Sequence, residues 1–179
     1  MHEDIQEILI TREQIEEKAK ELGDQVSKDY DGKKPILLGL LKGSIPFMGD
    51  MMKRITIAAE IEFMDVSSYH GAASTGHVKI LKDLDVTVEN RHVIIIEDIV
   101  DTGRTLQKVI ELLQHRRAAS VEVLSMLDKP EGRVVDIKAR YVGFTIPKAF
   151  VVGYGLDYNE YYRNLPYVGI LKEDVYRNN

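Results

Sequence analysis

Three acidic residues and a short polar turn lie close together in the segment 94–106, IIIEDIVDTGRTL. Three isoleucines predict the end of a buried strand, and the carboxylates of Glu97, Asp98 and Asp101 follow. The turn after them consists of Thr102, Gly103, Arg104 and Thr105, and a helical pattern opens at Leu106. Backbone N–H groups, hydroxyls and a helix N-terminus suit a phosphate monoester, and carboxylates suit sugar hydroxyls or a hard cation. A sugar phosphate would satisfy the whole segment.

A second junction of this type follows residues 35–41, a continuous apolar run that predicts a buried parallel strand. Lys42 and Gly43 come directly after this run, and a short helix is predicted over 46–54 with Pro46 in its first turn. A cation and a glycine at a strand end suit an anion. The same spacing is equally typical of an ordinary strand–helix loop, so this junction is a weak signal on its own.

The composition of the chain limits the classes of protein that it can represent. Its 179 residues favour one domain over 1–179, and its 44% hydrophobic and 30% charged residues are ordinary for a globular protein. The net charge of −5 offers no footprint for nucleic acid or an anionic membrane. Zero cysteines exclude a disulfide framework and agree with a cytoplasmic location. Neither a signal peptide nor an apolar run of about 18 residues is visible.

Hydrophobic periodicity predicts alternating strands and helices along the rest of the chain. Thr11 and Gln14 fit a capping box before an amphipathic helix over 12–29. Residues 57–66 alternate as a half-buried strand near a sheet edge or at an interface. Residues 67–77 are small and polar and predict a long mobile loop. The remaining predictions are strands within 1–10 and at 78–81, 92–97, 121–127, 141–145 and 167–171, a helix over 106–117 and a polar tail at 172–179.

The segment 94–106 resembles the phosphoribosyl-pyrophosphate (PRPP) binding motif of the type I phosphoribosyltransferases. That motif joins an apolar strand, two acidic residues, two apolar residues and Asp-Thr-Gly-basic-Thr, and every position agrees here. A second segment, FVVGYGLDYNEYYR at 150–163, resembles the purine-binding segment of the hypoxanthine–guanine branch of that family. The resemblance implies an α/β, Rossmann-like core with a parallel sheet flanked by helices, plus a small hood built from the two ends of the chain.

The resemblance also implies a role for each residue of the PRPP-binding motif. Glu97 and Asp98 would bind the ribose hydroxyls with Mg²⁺ nearby. The turn 102–105 would anchor the 5′-phosphate. Asp101 would belong to the same PRPP-binding set and act as the general base for the incoming purine.

Further residues would hold the leaving group and close the site. Lys42, Gly43 and Arg163 would bind pyrophosphate, and the family implies a cis peptide bond before Lys42. Ser68 and Tyr69 match a Ser-Tyr pair that a flexible loop of the family carries over the site. Closure of that loop would exclude water from a reactive sugar cation.

The resemblance assigns four residues to the purine side. Lys129 would donate to the exocyclic oxygen of a 6-oxopurine, because a lysine has donors only. Phe150 would stack on the base, the backbone near Val151 would read its edge, and Asp157 would lie beside the base and serve Mg²⁺ together with the acidic pair.

The implied reaction converts PRPP and hypoxanthine or guanine into IMP or GMP and pyrophosphate. Family analogy implies a homodimer or homotetramer, with residues 46–54 and 57–64 as candidate interface surfaces. A PRPP-fold regulator of RNA or DNA is an alternative, which the acidic charge disfavours. A transferase for xanthine is a third possibility, and the relative preference for hypoxanthine and guanine stays open.

Overall fold

A computed structural model describes residues 1–68 and 78–177 of the chain. Within them, six strands form the main sheet in the order β4-β3-β2-β5-β6-β7, in which only β4 runs antiparallel to its neighbour. A smaller antiparallel sheet has the order β1-β9-β8. The strands are β1 (Ile5–Ile10), β2 (Ile36–Leu40), β3 (Glu60–Ser68), β4 (Val78–Lys82), β5 (His92–Val100), β6 (Ser120–Asp128), β7 (Tyr141–Thr145), β8 (Val151–Val152) and β9 (Val168–Leu171).

Helices cover both faces of the main sheet because its central strands are apolar on both sides. Leu37, Ile94 and Ile96 pack in one cluster with buried residues of α1 and α2. Ile36 and Ile95 point the other way and pack in a second cluster with α3. The helices are α1 (Arg12–Asp29), α2 (Ile45–Arg54), α3 (Arg104–His115) and the short α4 (Glu173–Arg177). The predicted fold class is therefore confirmed.

The two ends of the chain build the smaller sheet, as the predicted hood requires. Ile5 of β1 lies opposite Leu171 of β9, and Val151 of β8 lies opposite Ile170. The backbone N–H of Lys172 also donates to the carbonyl oxygen of Asp4 at 2.9 Å. Segments at opposite ends of the sequence thus pair in one small sheet.

The first helix forms as its sequence predicts. The backbone N–H of Gln14 donates to the Thr11 hydroxyl at 3.3 Å, and the backbone N–H of Thr11 donates to the Gln14 side chain at 2.8 Å. This reciprocal capping box satisfies two N–H groups that the first helical turn leaves without partners. The helix spans Arg12–Asp29, the predicted range.

The boundaries around the acidic segment differ from the prediction. Strand β5 continues to Val100, three residues past its predicted end at Glu97, so Asp98 also lies within the strand. Ladder bonds to β6 extend as far as Val100 and keep the acidic residues extended. Helix α3 begins at Arg104 instead of Leu106, because Gly103 takes a left-handed conformation (φ 80°) that turns the chain earlier.

Strand β3 begins at Glu60, three residues after its predicted start, and lies between β2 and the edge strand β4, which agrees with a position near a sheet edge. The prediction for the end of the chain missed a helix. The predicted polar tail at 172–179 contains helix α4, which packs its Tyr176 ring against the body of the protein. The alternation of apolar and polar residues shows that a strand is half-buried but does not show which strand lies outside it.

Candidate active site

The acidic pair lies at the carboxyl end of the central strand, between the turns that follow β2 and β5. Both side chains are half-buried. Burial, with the neighbouring Asp98 charge, raises the pKa of Glu97 well above its usual value. Burial also raises the pKa of Asp98 to about 6, against hydrogen bonds that favour its charged form. One of those bonds comes from the backbone N–H of Ile99 to Asp98 Oδ1 at 2.7 Å. A bound cation would lower the free-energy cost of ionising these two carboxyl groups.

The turn after β5 surrounds a small cavity of about 160 Å³. Gly103 precedes the first turn of α3, and the backbone N–H of Arg104 lies 3.5 Å from the Thr102 hydroxyl. The cavity is lined by Glu97, Ile99, Val100, Asp101, Thr102, Gly103, Thr105 and Leu106. A helix N-terminus with hydroxyls around a small cavity is a suitable site for a phosphate group.

Asp101 and Lys129 form a direct ion pair across the carboxyl ends of β5 and β6. Lys129 Nζ lies 2.6 Å from Asp101 Oδ2, and the lysine side chain is only 14% exposed. The backbone N–H of Lys129 donates to the carbonyl oxygen of Val100 at 3.0 Å, which fixes its position beside the turn at 102–105. Gly132 lies so close that a Cβ there would be 1.8 Å from Asp101 Oδ1. The predicted base and the predicted purine-reading lysine are therefore neighbours.

Arg133 braces this turn and was not predicted. Its side chain, 15% exposed, donates to the carbonyl oxygens of Asp101 at 2.9 Å and Val100 at 3.2 Å. It also contacts the carbonyl oxygen of Ile137 and the carboxylate of Asp128. One buried cation thus ties the phosphate turn to β6 and to the segment after it. No local pattern distinguishes this arginine from the other basic residues of the sequence.

The turn after β2 faces the acidic pair from the neighbouring strand. The peptide bond between Leu41 and Lys42 is cis, as the resemblance implied. Gly43 packs against the acidic pair, since a Cβ there would lie 1.7 Å from Asp98 Oδ2. Lys42 Nζ lies 2.6 Å from Glu160 Oε2, which comes from the segment after β8.

The segment after β8 brings Arg163 to the same edge of the sheet. Arg163 donates to the carbonyl oxygen of Gly155 at 2.8 Å and pairs with Asp157 Oδ1 at 3.0 Å. Gly155 has φ 102°, and a Cβ there would lie 1.9 Å from the carbonyl oxygen of Gly43. Besides burial, which has the largest effect, the Arg163 charge lowers and the Asp157 charge raises the pKa of Asp98. Glu160 was also missed, and only its place in the 150–163 segment could have drawn attention to it.

A larger cavity of about 430 Å³ lies between the main sheet and the hood. Phe150 is 39% exposed there and stacks on Tyr176 of α4 with ring centroids 4.7 Å apart. Of the residues predicted to contact the base, Lys129 and Phe150 line this cavity, whereas Val151 and Asp157 are not among its described lining residues. That lining consists of Gln6, Lys129, Lys148, Ala149, Phe150, Ile170, Leu171, Glu173 and Tyr176.

The donor chemistry of the acidic pair fits a hard divalent cation. In the described part of the chain, no group of three or more acidic, histidine or cysteine residues could by itself hold a metal ion. Mg²⁺ needs no such group, because it is usually bound through one or two carboxylates plus substrate phosphates. The half-buried carboxylates of Glu97 and Asp98 meet that requirement. Of the predicted loop pair, Tyr69 lies outside the described residues and Ser68 ends β3.

A parallel sheet with an acidic pair and a phosphate-type turn after its central strand defines the class of protein. A model of the phosphoribosyl transferase domain matches residues 6–159, and the chain belongs to this family. A hypoxanthine-guanine phosphoribosyltransferase of Streptococcus mutans is 58% identical over 177 residues, which are 98% of both chains. A crystal structure of a hypoxanthine phosphoribosyltransferase from Staphylococcus aureus is 56% identical, covers 98% of this chain and 96% of its own, and has a TM-score of 0.95.

Some relatives are much longer than this chain. A bifunctional protein TilS/HprT of Listeria monocytogenes is 54% identical over 177 residues, and the chain spans 27% of its length. These similarities confirm the predicted family resemblance. No helix in the described part of the chain is long and apolar enough to cross a membrane.

Proposed function

We propose that this chain transfers the 5-phosphoribosyl group of PRPP to hypoxanthine or guanine, giving IMP or GMP and pyrophosphate. One observation carries the proposal: Lys129 and Asp101 meet at 2.6 Å beside the phosphate turn. The proposal takes Lys129 as the donor to a purine oxo group and Asp101 as the base, beside the turn that would hold the ribose phosphate. The names of the relatives in Streptococcus mutans and Staphylococcus aureus agree with this activity.

The sugar phosphate would be held by the carboxyl end of β5. The 5′-phosphate would occupy the cavity lined by Thr102, Gly103 and Thr105, where backbone N–H groups and hydroxyls would bind it. Glu97 and Asp98 would accept hydrogen bonds from the ribose hydroxyls. Fixing both ends of the sugar makes attack on its anomeric carbon effectively unimolecular.

The leaving pyrophosphate would be held from the neighbouring turn. Lys42 and Arg163 would supply cationic donors, and backbone N–H groups near Gly43 would add neutral ones. Enzymes of this family use PRPP with a divalent metal ion. We propose Mg²⁺, held by Glu97 and Asp98 with Asp157 nearby, where it would neutralise charge on the phosphates.

The purine would enter the cavity beside Phe150. Lys129 would donate to the exocyclic oxygen, which favours a 6-oxopurine over an aminopurine. Asp101 would accept the proton from the imidazole part of the base, so that the other ring nitrogen attacks the sugar. Phe150 would stack on the ring, with Val151 at its edge.

The proposal also covers the domain organisation, location, partners and oligomeric state of the chain. We propose a single domain over 1–179, a cytoplasmic location and no nucleic-acid partner, supported by the net charge of −5 and the absence of cysteine. We also propose a homodimer or homotetramer. The exposed Ile45 and Met52 of α2 support an interface on that helix.

A steady-state assay tests the activity. PRPP and Mg²⁺ would be supplied with hypoxanthine, guanine, xanthine, adenine or uracil, using wild type, Asp101→Asn and Lys129→Ala. Asp24→Asn, which removes the same charge from an exposed position on α1, is the matched control. We expect turnover of hypoxanthine or guanine, a loss of about 10²- to 10⁴-fold in Asp101→Asn and little change in the control.

Each other outcome of this assay has a meaning of its own. Nearly intact turnover in Asp101→Asn would show that this carboxylate is not the base. Preference for xanthine would show that the chain is a transferase of the same fold with a different base specificity. PRPP binding without turnover of any base would contradict the proposed enzymatic activity and favour a regulator. Salt-dependent RNA binding would then be measured.

A further inference from the structure

Glu160 contacts both cations that the proposed function gives to pyrophosphate. Its carboxylate lies 2.6 Å from Lys42 Nζ and 3.4 Å from Arg163 Nη2. Lys42 follows β2 and Glu160 comes 118 residues later, so this is a tertiary contact. The proposed reaction assigns no role to the Glu160 carboxylate. An anionic side chain therefore stands where an anionic leaving group must bind.

The backbone directs Glu160 to this position. Tyr158 and Tyr161 exchange two backbone hydrogen bonds of 3.2 and 3.0 Å, which close a tight turn. The two residues between them, Asn159 and Glu160, have φ 53° and 69° in the left-handed region. The backbone N–H of Glu160 also donates to Asp157 Oδ2 at 2.9 Å.

The charges indicate what Glu160 does. Its side chain is 63% exposed, and the hydrogen bond from Lys42 lowers the pKa of its carboxyl, so the group is ionised at neutral pH. A carboxylate that pairs with both cations holds their side chains together while no substrate is bound. Pyrophosphate carries more charge than a carboxylate and can replace it.

We propose that Glu160 is a positioning residue that occupies the anion site between Lys42 and Arg163 and is displaced by the pyrophosphate group. This inference rests on the proposed function, which makes those two residues the pyrophosphate ligands. Displacement returns the carboxylate to water, and the cost of breaking its ion pairs is subtracted from the affinity for pyrophosphate. Glu160 would therefore weaken PRPP binding and ease the release of the product.

The solvent exposure of the Glu160 ion pairs limits how much they can weaken pyrophosphate binding. Exposed ion pairs contribute up to about 1 kcal/mol each, which limits the change in pyrophosphate affinity to about fivefold per pair, and we expect a change of about two- to fivefold. Salt screens such pairs, so the effect should shrink at high ionic strength. A residue that instead aligned the two cations for pyrophosphate would produce a change of the opposite sign.

The test compares Glu160→Gln with Glu17→Gln, which removes the same charge from an exposed position on α1. Calorimetry would measure binding of pyrophosphate in the presence of Mg²⁺, and steady-state kinetics would measure KM for PRPP and for hypoxanthine. We expect Glu160→Gln to bind pyrophosphate about two- to fivefold more tightly and to lower KM for PRPP, with KM for hypoxanthine unchanged. The Glu17→Gln control should match wild type in all three.

Unchanged or weaker pyrophosphate binding in Glu160→Gln would overturn the inference, as would an equal gain in the Glu17→Gln control. The binding measurement requires no turnover. If wild type binds pyrophosphate but converts no purine, the proposed function fails. Pyrophosphate binding by Glu160→Gln would still decide the role of Glu160.

Discussion

The turns after β2 and β5 lie side by side in the same sheet, yet they are stabilised in different ways. The turn after β5 is braced by Arg133, a largely buried cation that bonds to main-chain carbonyls and to Asp128. The turn after β2 sends Lys42 to Glu160, and both side chains of that pair are mostly exposed. A buried charge network holds a single geometry, whereas an exposed ion pair can exchange partners.

This difference matches what each turn is proposed to bind. The 5′-phosphate stays on the sugar throughout the reaction, so its turn benefits from being built in advance. Pyrophosphate is made and released in every cycle, so its cations benefit from an alternative partner. Asp98 lies where the two turns meet, because it belongs to β5 and contacts Gly43 of the other turn.

The largest expected effect on stability is at Arg133. We expect Arg133→Met to lower the free energy of unfolding by about 3 kcal/mol, because it leaves the partly buried carboxylate of Asp128 without its cation. Denaturant unfolding would measure this loss. Arg133→Met with Asp128→Asn removes both charges and should recover part of it. A loss below about 1 kcal/mol in Arg133→Met would show that the β5 turn is not braced by this network.

Substitution of Asp98 is expected to increase the free energy of unfolding rather than lower it. Its pKa is about 6 in the folded chain against an ordinary 3.8, so the folded state binds more protons and stability falls as pH rises between these values. Asp98→Asn removes that penalty. We expect it to raise the free energy of unfolding by about 1–2 kcal/mol above pH 6, with the gain vanishing towards pH 4.

Thermal unfolding at several pH values, without metal or substrate, would measure this gain, and Asp24→Asn is the control for loss of an exposed carboxylate. A gain that is the same at pH 4 and pH 8 would contradict the assignment of the penalty to the ionised Asp98.

The smallest expected effect is at Lys42. We expect Lys42→Met to change the free energy of unfolding by less than about 0.5 kcal/mol, because its ion pair is exposed on both sides. The same denaturant experiment used for Arg133 would measure it. A loss above about 1 kcal/mol would mean that the two turns are braced alike, and the comparison between them would fail.

The elements that the sequence predicted well are those whose determinants are local. The capping box of Thr11 and Gln14 and the apolar face of α1 lie within one stretch of chain, and α1 has its predicted bounds. The acidic pair and the turn at 102–105 also lie within thirteen consecutive residues, and the sugar-phosphate site that their order indicates stays a prediction. The cis bond before Lys42 was implied only through the family resemblance.

The elements that the sequence missed depend on contacts between distant segments. Helix α4 forms in a segment predicted only as a polar tail, and its Tyr176 stacks on Phe150. Arg133 and Glu160 look like ordinary charged residues in the sequence, and only their partners distinguish them.

The sequence by itself determined the order of strands and helices, the apolar faces that make a two-layered core and the chemistry available at the end of β5. These properties depend on residue type and on spacing along a few turns of chain. Only the tertiary structure decided which charges face one another: Lys129 with Asp101, and Lys42 with Glu160. Ion pairs act over a few ångströms of space, and the distance between two residues along the chain does not specify that separation.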